Sequence, residues 1–363
     1  MLKRCLILSL LCISSLIYSQ EQEVKPFELE ANYFYGSILR HNKDIASLIT
    51  GHPEGILLSY NRKTYGFNEW ERRYNYPDWG VSFAYQDLKN ENLGDTYNLM
   101  MHYNFYFLKR KLMFRVAQGI GYTTNPFDIE TNIENNAYGS RIFSATNFVI
   151  NYKQPLTKKI SLQAGFLLLH GSNGNTRSPN TSTNTFAVNA GLVYKDQPVP
   201  EFIERGERVK YKEPIHFNIS LRSGVNSSDF IGLDREPFLI VSTYADKVLS
   251  KKSKLLFGAD AFFSKFLKNE IEFLAAAFPQ RGVTSDQDWK RVGIFAGHEL
   301  LFYKTALITH AGYYIYYPYD FEGRFYQRVG LKRYFGKSYN ASVAVKTHGA
   351  KAEAVEFGLG IRL

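Results

Sequence analysis

Apolar and polar residues alternate along most of this chain with a period of two residues. In the segment 27–35 the apolar set is Phe27, Leu29, Ala31, Tyr33 and Tyr35, and the residues between them include Glu28, Glu30 and Asn32. In the segment 351–363 the corresponding sets are Val355, Phe357, Leu359, Ile361 and Leu363 against Glu356, Gly358, Gly360 and Arg362. Because side chains of a strand point alternately to its two faces, this pattern predicts strands with one apolar and one polar face.

The alternation predicts about sixteen strands, in a range of roughly 14 to 18. We place them at 27–37, 54–63, 79–87, 96–107, 112–123, 141–153, 160–170, 185–194, 215–224, 237–247, 254–265, 290–302, 305–317, 324–334, 339–348 and 351–363. Connections such as 108–111 are short and alternate with long ones such as 124–140. Short periplasmic turns, long outer loops and a lipid-facing apolar face are typical of outer-membrane barrels. We therefore expect an all-β, transmembrane, antiparallel β-barrel of the bacterial outer membrane.

The N-terminus predicts export. Lys3 and Arg4 precede an apolar run that is too short to span a bilayer and has the length of a signal peptide core. We expect a cleaved signal peptide at 1–19 and a single β-barrel domain at 20–363, since no segment is evident as a linker, although the charged connection 195–214 is unusually long for the periplasmic side. Both cysteines, Cys5 and Cys12, lie in the signal peptide, so the mature chain is expected to lack disulfides and thiolate metal sites.

Composition agrees with a barrel and bears on its surroundings. Aromatic residues make up 16% of the chain, with 26 Tyr and 28 Phe, while the mean hydropathy is slightly polar at -0.28. A net charge of +10 favours an anionic partner. For an exported chain we expect this partner to be the lipopolysaccharide surface and not nucleic acid.

One segment carries candidate chemistry. His170 and Ser172 stand two residues apart at the end of the seventh predicted strand, so they share a face with Cα atoms about 6.5–7 Å apart. That face is the lipid-facing one, where polar side chains are costly unless they interact with something there. The seventh strand runs outward if the N-terminus is periplasmic, so the pair is expected in the outer leaflet. Histidine and serine at this spacing favour nucleophilic ester hydrolysis, with no metal or cofactor.

The segment resembles a known family. His170-Gly-Ser172-Asn173, followed by Pro179-Asn180 and by Asn184 at the start of the next strand, is similar to the lipid A 3-O-deacylase family of outer-membrane esterases. The resemblance covers about 25 residues of the chain. It implies that His170 is the base and Ser172 the nucleophile, that Asn173 and the backbone around Gly174 donate to the oxyanion, and that the substrate is lipid A in the outer leaflet.

The third member of the site departs from the family pattern. The resemblance implies a glutamate fourteen residues after the histidine, where this chain has Asn184, and no Asp or Glu occurs from 135 to 195. Asn184 shares the lipid-facing parity of His170, and an amide oxygen holds an imidazole tautomer but stabilises imidazolium less than a carboxylate does. Three alternatives remain open: Asn184 orients His170 in a slower enzyme, a carboxylate arrives from elsewhere, or activity is lost.

The sequence thus predicts an outer-membrane serine esterase that removes a 3-hydroxyacyl chain from lipid A. Two alternatives from other classes are a passive channel and a catalytically inactive barrel that binds lipopolysaccharide. The channel is favoured by inward charges such as Glu28, Glu30 and Arg362, because sixteen strands would enclose a lumen. The inactive barrel is favoured by the missing carboxylate.

Overall fold

The computed structural model describes residues 26–199, 201–206, 213–349 and 351–363. The expected signal peptide at 1–19 lies outside these residues. Within them the chain forms sixteen antiparallel strands, which confirms the all-β class and the expected strand number. Each strand overlaps a predicted one, and their ends differ by at most three residues.

The strands close into two barrels of eight, each from consecutive strands. The first contains β1 (Phe27–Ile38), β2 (Glu54–Arg62), β3 (Asp78–Asp87), β4 (Asp95–Phe107), β5 (Leu112–Thr123), β6 (Ile142–Pro155), β7 (Ile160–Ser172) and β8 (Thr183–Lys195). The second contains β9 (Ile215–Asn226), β10 (Glu236–Ser250), β11 (Ser253–Ser264), β12 (Arg291–Phe302), β13 (Thr305–Tyr316), β14 (Phe325–Phe335), β15 (Tyr339–His348) and β16 (Lys351–Arg362).

This closure differs from the single barrel that the alternation suggested. β1 pairs with β8 from Glu28↔Lys195 to Ile38↔Thr185, and β9 pairs with both β10 and β16. The charged stretch that follows β8 is therefore the connection between two barrels and not a long periplasmic turn within one. Alternation specifies which face a residue occupies, but it does not specify the partner of an edge strand. The prediction of a single barrel was therefore wrong only in the pairing of strands that are distant in sequence.

The predicted faces are correct. Leu359 on β16 is 71% exposed, while Glu356 on the same strand is fully buried, and on β1 the exposed Tyr33 alternates with the buried Asn32. Apolar side chains thus form the outer surface of both barrels, where a membrane supplies lipid. None of the helices in the described part of the chain has the length and apolar character needed to cross a membrane.

Side chains fill the interior of each barrel. In the first, Arg115 contacts Glu30 at 2.7 Å, and Lys153 contacts Glu30 at 2.7 Å and Glu28 at 3.3 Å. In the second, the buried charged residues include Arg222, Asp260, Arg291, Arg328, Lys346, Glu353 and Glu356. An eight-stranded barrel is just wide enough for side chains to fill it. The wide lumen on which the channel hypothesis depended is therefore not present in the described residues.

Two short helical segments cover the barrel ends. α1 (Glu69–Arg73) follows β2 on the side where the chain begins, and α2 (Lys265–Ala277) follows β11 at the opposite end. The residue after α1, Tyr74, stacks on Phe302 of the second barrel with ring centroids 4.4 Å apart, and Arg73 donates to the carbonyl of Lys251 at 2.8 Å. These contacts explain the long connection between β2 and β3, because it joins the two barrels at the end where β1 begins.

Candidate active site

His170 lies near the outer end of β7, directly opposite Asn184 of β8 in the hairpin register. Its Nδ1 is 2.7 Å from Oδ1 of Asn184. An amide oxygen accepts hydrogen bonds and cannot donate them, so the contact selects the tautomer with hydrogen on Nδ1 and leaves Nε2 as the basic nitrogen. The shared parity of the two residues, read from the sequence, thus corresponds to a direct contact.

Other groups around the imidazole were missed by sequence reasoning. The β1–β2 connection brings His41 close to His170, and the backbone of Thr183 also contacts the ring. His41 itself is held by the carbonyl of Thr181, at 2.9 Å from its Nε2. Among the residues that the structure describes, no carboxylate contacts His170, so Asn184 is the group that orients it. No local pattern indicated His41, because it lies about 130 residues away in the chain.

Ser172 is the last residue of β7 and is buried beneath the loop that follows it. Its Oγ accepts hydrogen bonds from the Asn180 side-chain amide at 3.1 Å and from the Gly174 N–H at 3.1 Å. Within the described ranges the hydroxyl makes no hydrogen bond to His170. The strand therefore places the two residues as predicted, while the loop turns the hydroxyl away from the imidazole.

Asn180 holds the start of this loop. Its Oδ1 accepts the backbone N–H of Asn173 at 2.9 Å, while its Nδ2 donates to Ser172. The sequence singled out Pro179 and Asn180 only as support for the family resemblance. In the structure Asn180 touches the candidate nucleophile, and the carbonyl of Pro179 accepts the N–H of Gly139 at 2.7 Å, which fixes the loop to the β5–β6 connection.

The predicted oxyanion donors are already engaged. The N–H of Asn173 donates to Asn180, and Nδ2 of Asn173 donates to the carbonyl of Arg177 at 2.6 Å. The N–H of Gly174 donates to Oγ of Ser172. In this arrangement each of these groups therefore donates to an acceptor within the loop or to Ser172. Gly174 and the next residue, Asn175, have φ of +64° and +62°, a left-handed conformation that Gly and Asn adopt most readily.

Three other histidines, His298, His310 and His348, have structural contacts. His298 bonds to Ser253 at 2.8 Å, His310 stacks on Phe295 inside the second barrel, and His348 bonds to Glu353 at 2.6 Å. No group of three or more His, Cys, Asp or Glu side chains suited to a metal ion occurs among the described residues.

Sequence comparisons divide the chain as the barrels do. The model described as Lipid A 3-O-deacylase (PagL) matches residues 54–193, and the model described as Acyloxyacyl hydrolase, C-terminal domain, matches residues 215–363. The first match contains β2 to β8 with the candidate site, and the second contains β9 to β16. No curated protein matches the chain significantly.

The solved structures that resemble this chain include engineered porins of Rhodopseudomonas blastica. Two of them are each 9% identical and cover 93% of this chain and 99% of their own, with TM-scores of 0.21 and 0.20.

Proposed function

This chain belongs to the lipid A 3-O-deacylase (PagL) family, and from that premise we propose that it is a serine-type esterase of the outer membrane. Its substrate is the ester that links a 3-hydroxyacyl chain to lipid A in the outer leaflet. The observation that carries the proposal is the contact between His170 and Asn184 beside Ser172, at the outer end of a strand whose face is turned to lipid.

The surface below the site is suited to an acyl chain. Phe166 of β7 and Phe186 of β8 stack outside the barrel with centroids 5.7 Å apart, and both are largely exposed. They lie on the same face as the His170–Asn184 pair and toward the membrane centre. A fatty acyl chain extending down from the ester would therefore contact apolar rings while its carbonyl lies near Ser172.

Acylation begins with a change at Ser172. Its hydroxyl leaves the Asn180 amide and reaches Nε2 of His170, which takes the proton while Oγ attacks the acyl carbonyl. In the structure the N–H of Gly174 donates to Oγ of Ser172, and the same movement releases this N–H. This N–H can then donate to the negatively charged oxygen of the tetrahedral intermediate.

The two products form as His170 returns the protons that it has taken up. His170 gives its proton to the leaving lipid A hydroxyl, and an acyl-enzyme forms on Ser172. His170 next takes a proton from water, and the hydroxide attacks the acyl carbonyl. The bond to Oγ then breaks as His170 returns the proton to Oγ, which releases a 3-hydroxy fatty acid and restores the serine. Asn184 keeps the hydrogen on Nδ1 through both halves of the reaction.

Mass spectrometry of lipid A incubated with the purified, refolded chain tests this proposal. We expect the wild type to remove one hydroxyacyl mass, and His170→Ala and Ser172→Ala to remove none. His298→Ala is the matched control, because this histidine bonds to a serine hydroxyl, that of Ser253, but lies in the second barrel.

Unchanged lipid A with folded wild type would overturn the esterase, as would full activity of Ser172→Ala. Lipid A that binds to the wild type without release of fatty acid would instead support the inactive, lipopolysaccharide-binding barrel.

A further inference from the structure

The loop that covers Ser172 also contacts the second barrel. Asn175 and Ser227 form a reciprocal pair, in which Nδ2 of Asn175 donates to the carbonyl of Ser227 at 2.9 Å and the N–H of Ser227 donates to the carbonyl of Asn175 at 3.0 Å. Both residues are buried. Ser227 follows β9, so the two barrels are joined by hydrogen bonds at the candidate site itself.

Two further contacts flank this pair. Before it in the chain, Gly174 lies so close to Val355 of β16 that a Cβ on the glycine would be 2.5 Å from Cγ2 of the valine. After it, the hydroxyl of Ser178 donates to the carbonyl of Ser228. The loop between β7 and β8 is therefore held by the second barrel at three of its residues.

The surface that receives the loop is itself anchored. Oγ of Ser228 donates to the buried carboxyl group of Glu270 on α2, and the hydroxyl of Tyr319 donates to the other oxygen of that group at 2.7 Å. α2 packs through Phe266, Leu267, Ile271 and Leu274 into an apolar cluster over the second barrel. The loop thus rests on residues that are themselves bonded to a packed helix.

We infer that the second barrel is a positioning element of the candidate active site, and that Asn175 is the positioning residue through which it acts on Ser172. The inference rests on the proposed esterase function. Gly174 connects the two directly, because it follows Asn173, donates its N–H to Ser172 and precedes Asn175. A displacement of about 1 Å at a reacting group can reduce turnover by about 10²-fold, so support of this short loop bears directly on the reaction.

Asn175→Asp is the decisive variant. It keeps the size of the side chain, and aspartate also tolerates the positive φ, but a carboxylate faces the Ser227 carbonyl where an amide donated. We expect kcat for fatty acid release at pH 8 to fall on the order of tenfold to a hundredfold, with KM unchanged. Once protonated, the carboxyl group can donate to Ser227, so the ratio of variant to wild-type kcat should rise as pH falls.

Asn75→Asp is the matched control. Asn75 has the same φ of +62°, and its Nδ2 donates to the carbonyl of Tyr106 at 3.3 Å, but it lies at the opposite end of the first barrel. We expect wild-type kcat from this variant. Ser178→Ala, which removes the bond to Ser228, provides a second test if Asn175→Asp fails to give the heat-dependent gel shift of a folded barrel.

Hydrogen exchange of the segment 172–180, measured without substrate, separates this inference from the proposed function. Faster exchange in Asn175→Asp together with the pH-dependent loss of kcat supports the inference. Wild-type kcat at every pH, or a loss that does not recover at low pH, would overturn it. If the wild type releases no fatty acid, the esterase proposal fails. Wild-type hydrogen exchange in both Asn175→Asp and Ser178→Ala would then also refute the inference that the second barrel supports the loop.

Discussion

Nδ1 of His170 lies 2.7 Å from Oδ1 of Asn184, directly across the β7–β8 hairpin. The family resemblance implies a carboxylate at this position. The amide keeps the geometry of the contact and supplies no charge, so it fixes the imidazole tautomer without offsetting the positive charge that forms on His170 during the reaction.

Asn184→Asp should therefore accelerate the enzyme. In serine proteases of the trypsin type the reverse change, from acid to amide, lowers turnover by about 10⁴. We expect the rate of fatty acid release at pH 8 to rise by between about tenfold and 10⁴-fold in Asn184→Asp. The rate in Asn184→Ala should be lower than that of the wild type. An aspartate variant that is folded but no faster than wild type would contradict the argument from charge, and wild-type turnover in Asn184→Ala would contradict the orienting role.

Gly174→Ala should slow the reaction through its contact with Val355. A left-handed alanine costs about 1–2 kcal/mol, and its Cβ would also collide with the valine. Gly336→Ala is the control, because Gly336 has φ of +65° with nothing within 4 Å of an added Cβ. We expect Gly174→Ala to lower kcat and Gly336→Ala to leave kcat unchanged. Adding Val355→Ala to Gly174→Ala should restore part of the lost kcat. Equal kcat in the two glycine variants would refute the steric explanation.

Arg115→Ala should destabilise the first barrel. The guanidinium is fully buried and bonds to Glu30, Ser59 and Asn104, so its removal leaves a buried carboxylate with fewer partners. Breaking such a pair typically lowers the free energy of unfolding by about 3–5 kcal/mol. Urea unfolding in detergent micelles measures the effect. The exposed Lys159→Ala should stay within about 0.5 kcal/mol of wild type, and a similarly small effect of Arg115→Ala would contradict the prediction.

Neither barrel should conduct ions. Buried ion pairs fill both interiors, as Arg115–Glu30 and Arg328–Glu356 illustrate, and eight strands leave no room for a water column beside them. We expect planar bilayers that contain the refolded chain to show the conductance of bare lipid. Stepwise conductance that depends on the protein would restore the channel hypothesis.

The helix α2 and its apolar cluster, which form a cap over the second barrel, should loosen as pH rises. Burial raises the pKa of the Glu270 carboxyl group above its usual value of 4.5, and the charges of Asp229 and Lys351 act on it with opposite signs. Because the folded-state pKa is the higher one, the stabilisation is fully present below 4.5 and is lost as pH rises through the folded-state pKa. Hydrogen exchange of α2, corrected for its intrinsic pH dependence, should accelerate over this range.

Glu270→Gln is the control for this prediction. The glutamine keeps acceptor and donor groups but does not ionise, so its cap should exchange at a rate that is nearly independent of pH. The same pH dependence in wild type and variant would show that another group is responsible.

Local features of this protein follow from its sequence alone. The period-two alternation located all sixteen strands and assigned Leu359 outward and Glu356 inward, because side-chain direction depends only on position along a strand. The facing of His170 and Asn184 was also predictable. Both belong to one hairpin, and their parities place them on the same face.

Tertiary structure decided the rest. Closure of β8 onto β1 created two barrels where alternation suggested one, because the alternation within a strand does not determine which distant strand pairs with its edge. The hydroxyl of Ser172 points to Asn180 because a side-chain torsion responds to the loop packed around it. The support of Asn175 by Ser227 depends on residues 52 positions apart in separate barrels. Periodicity records local geometry, whereas these contacts depend on how distant segments meet in space.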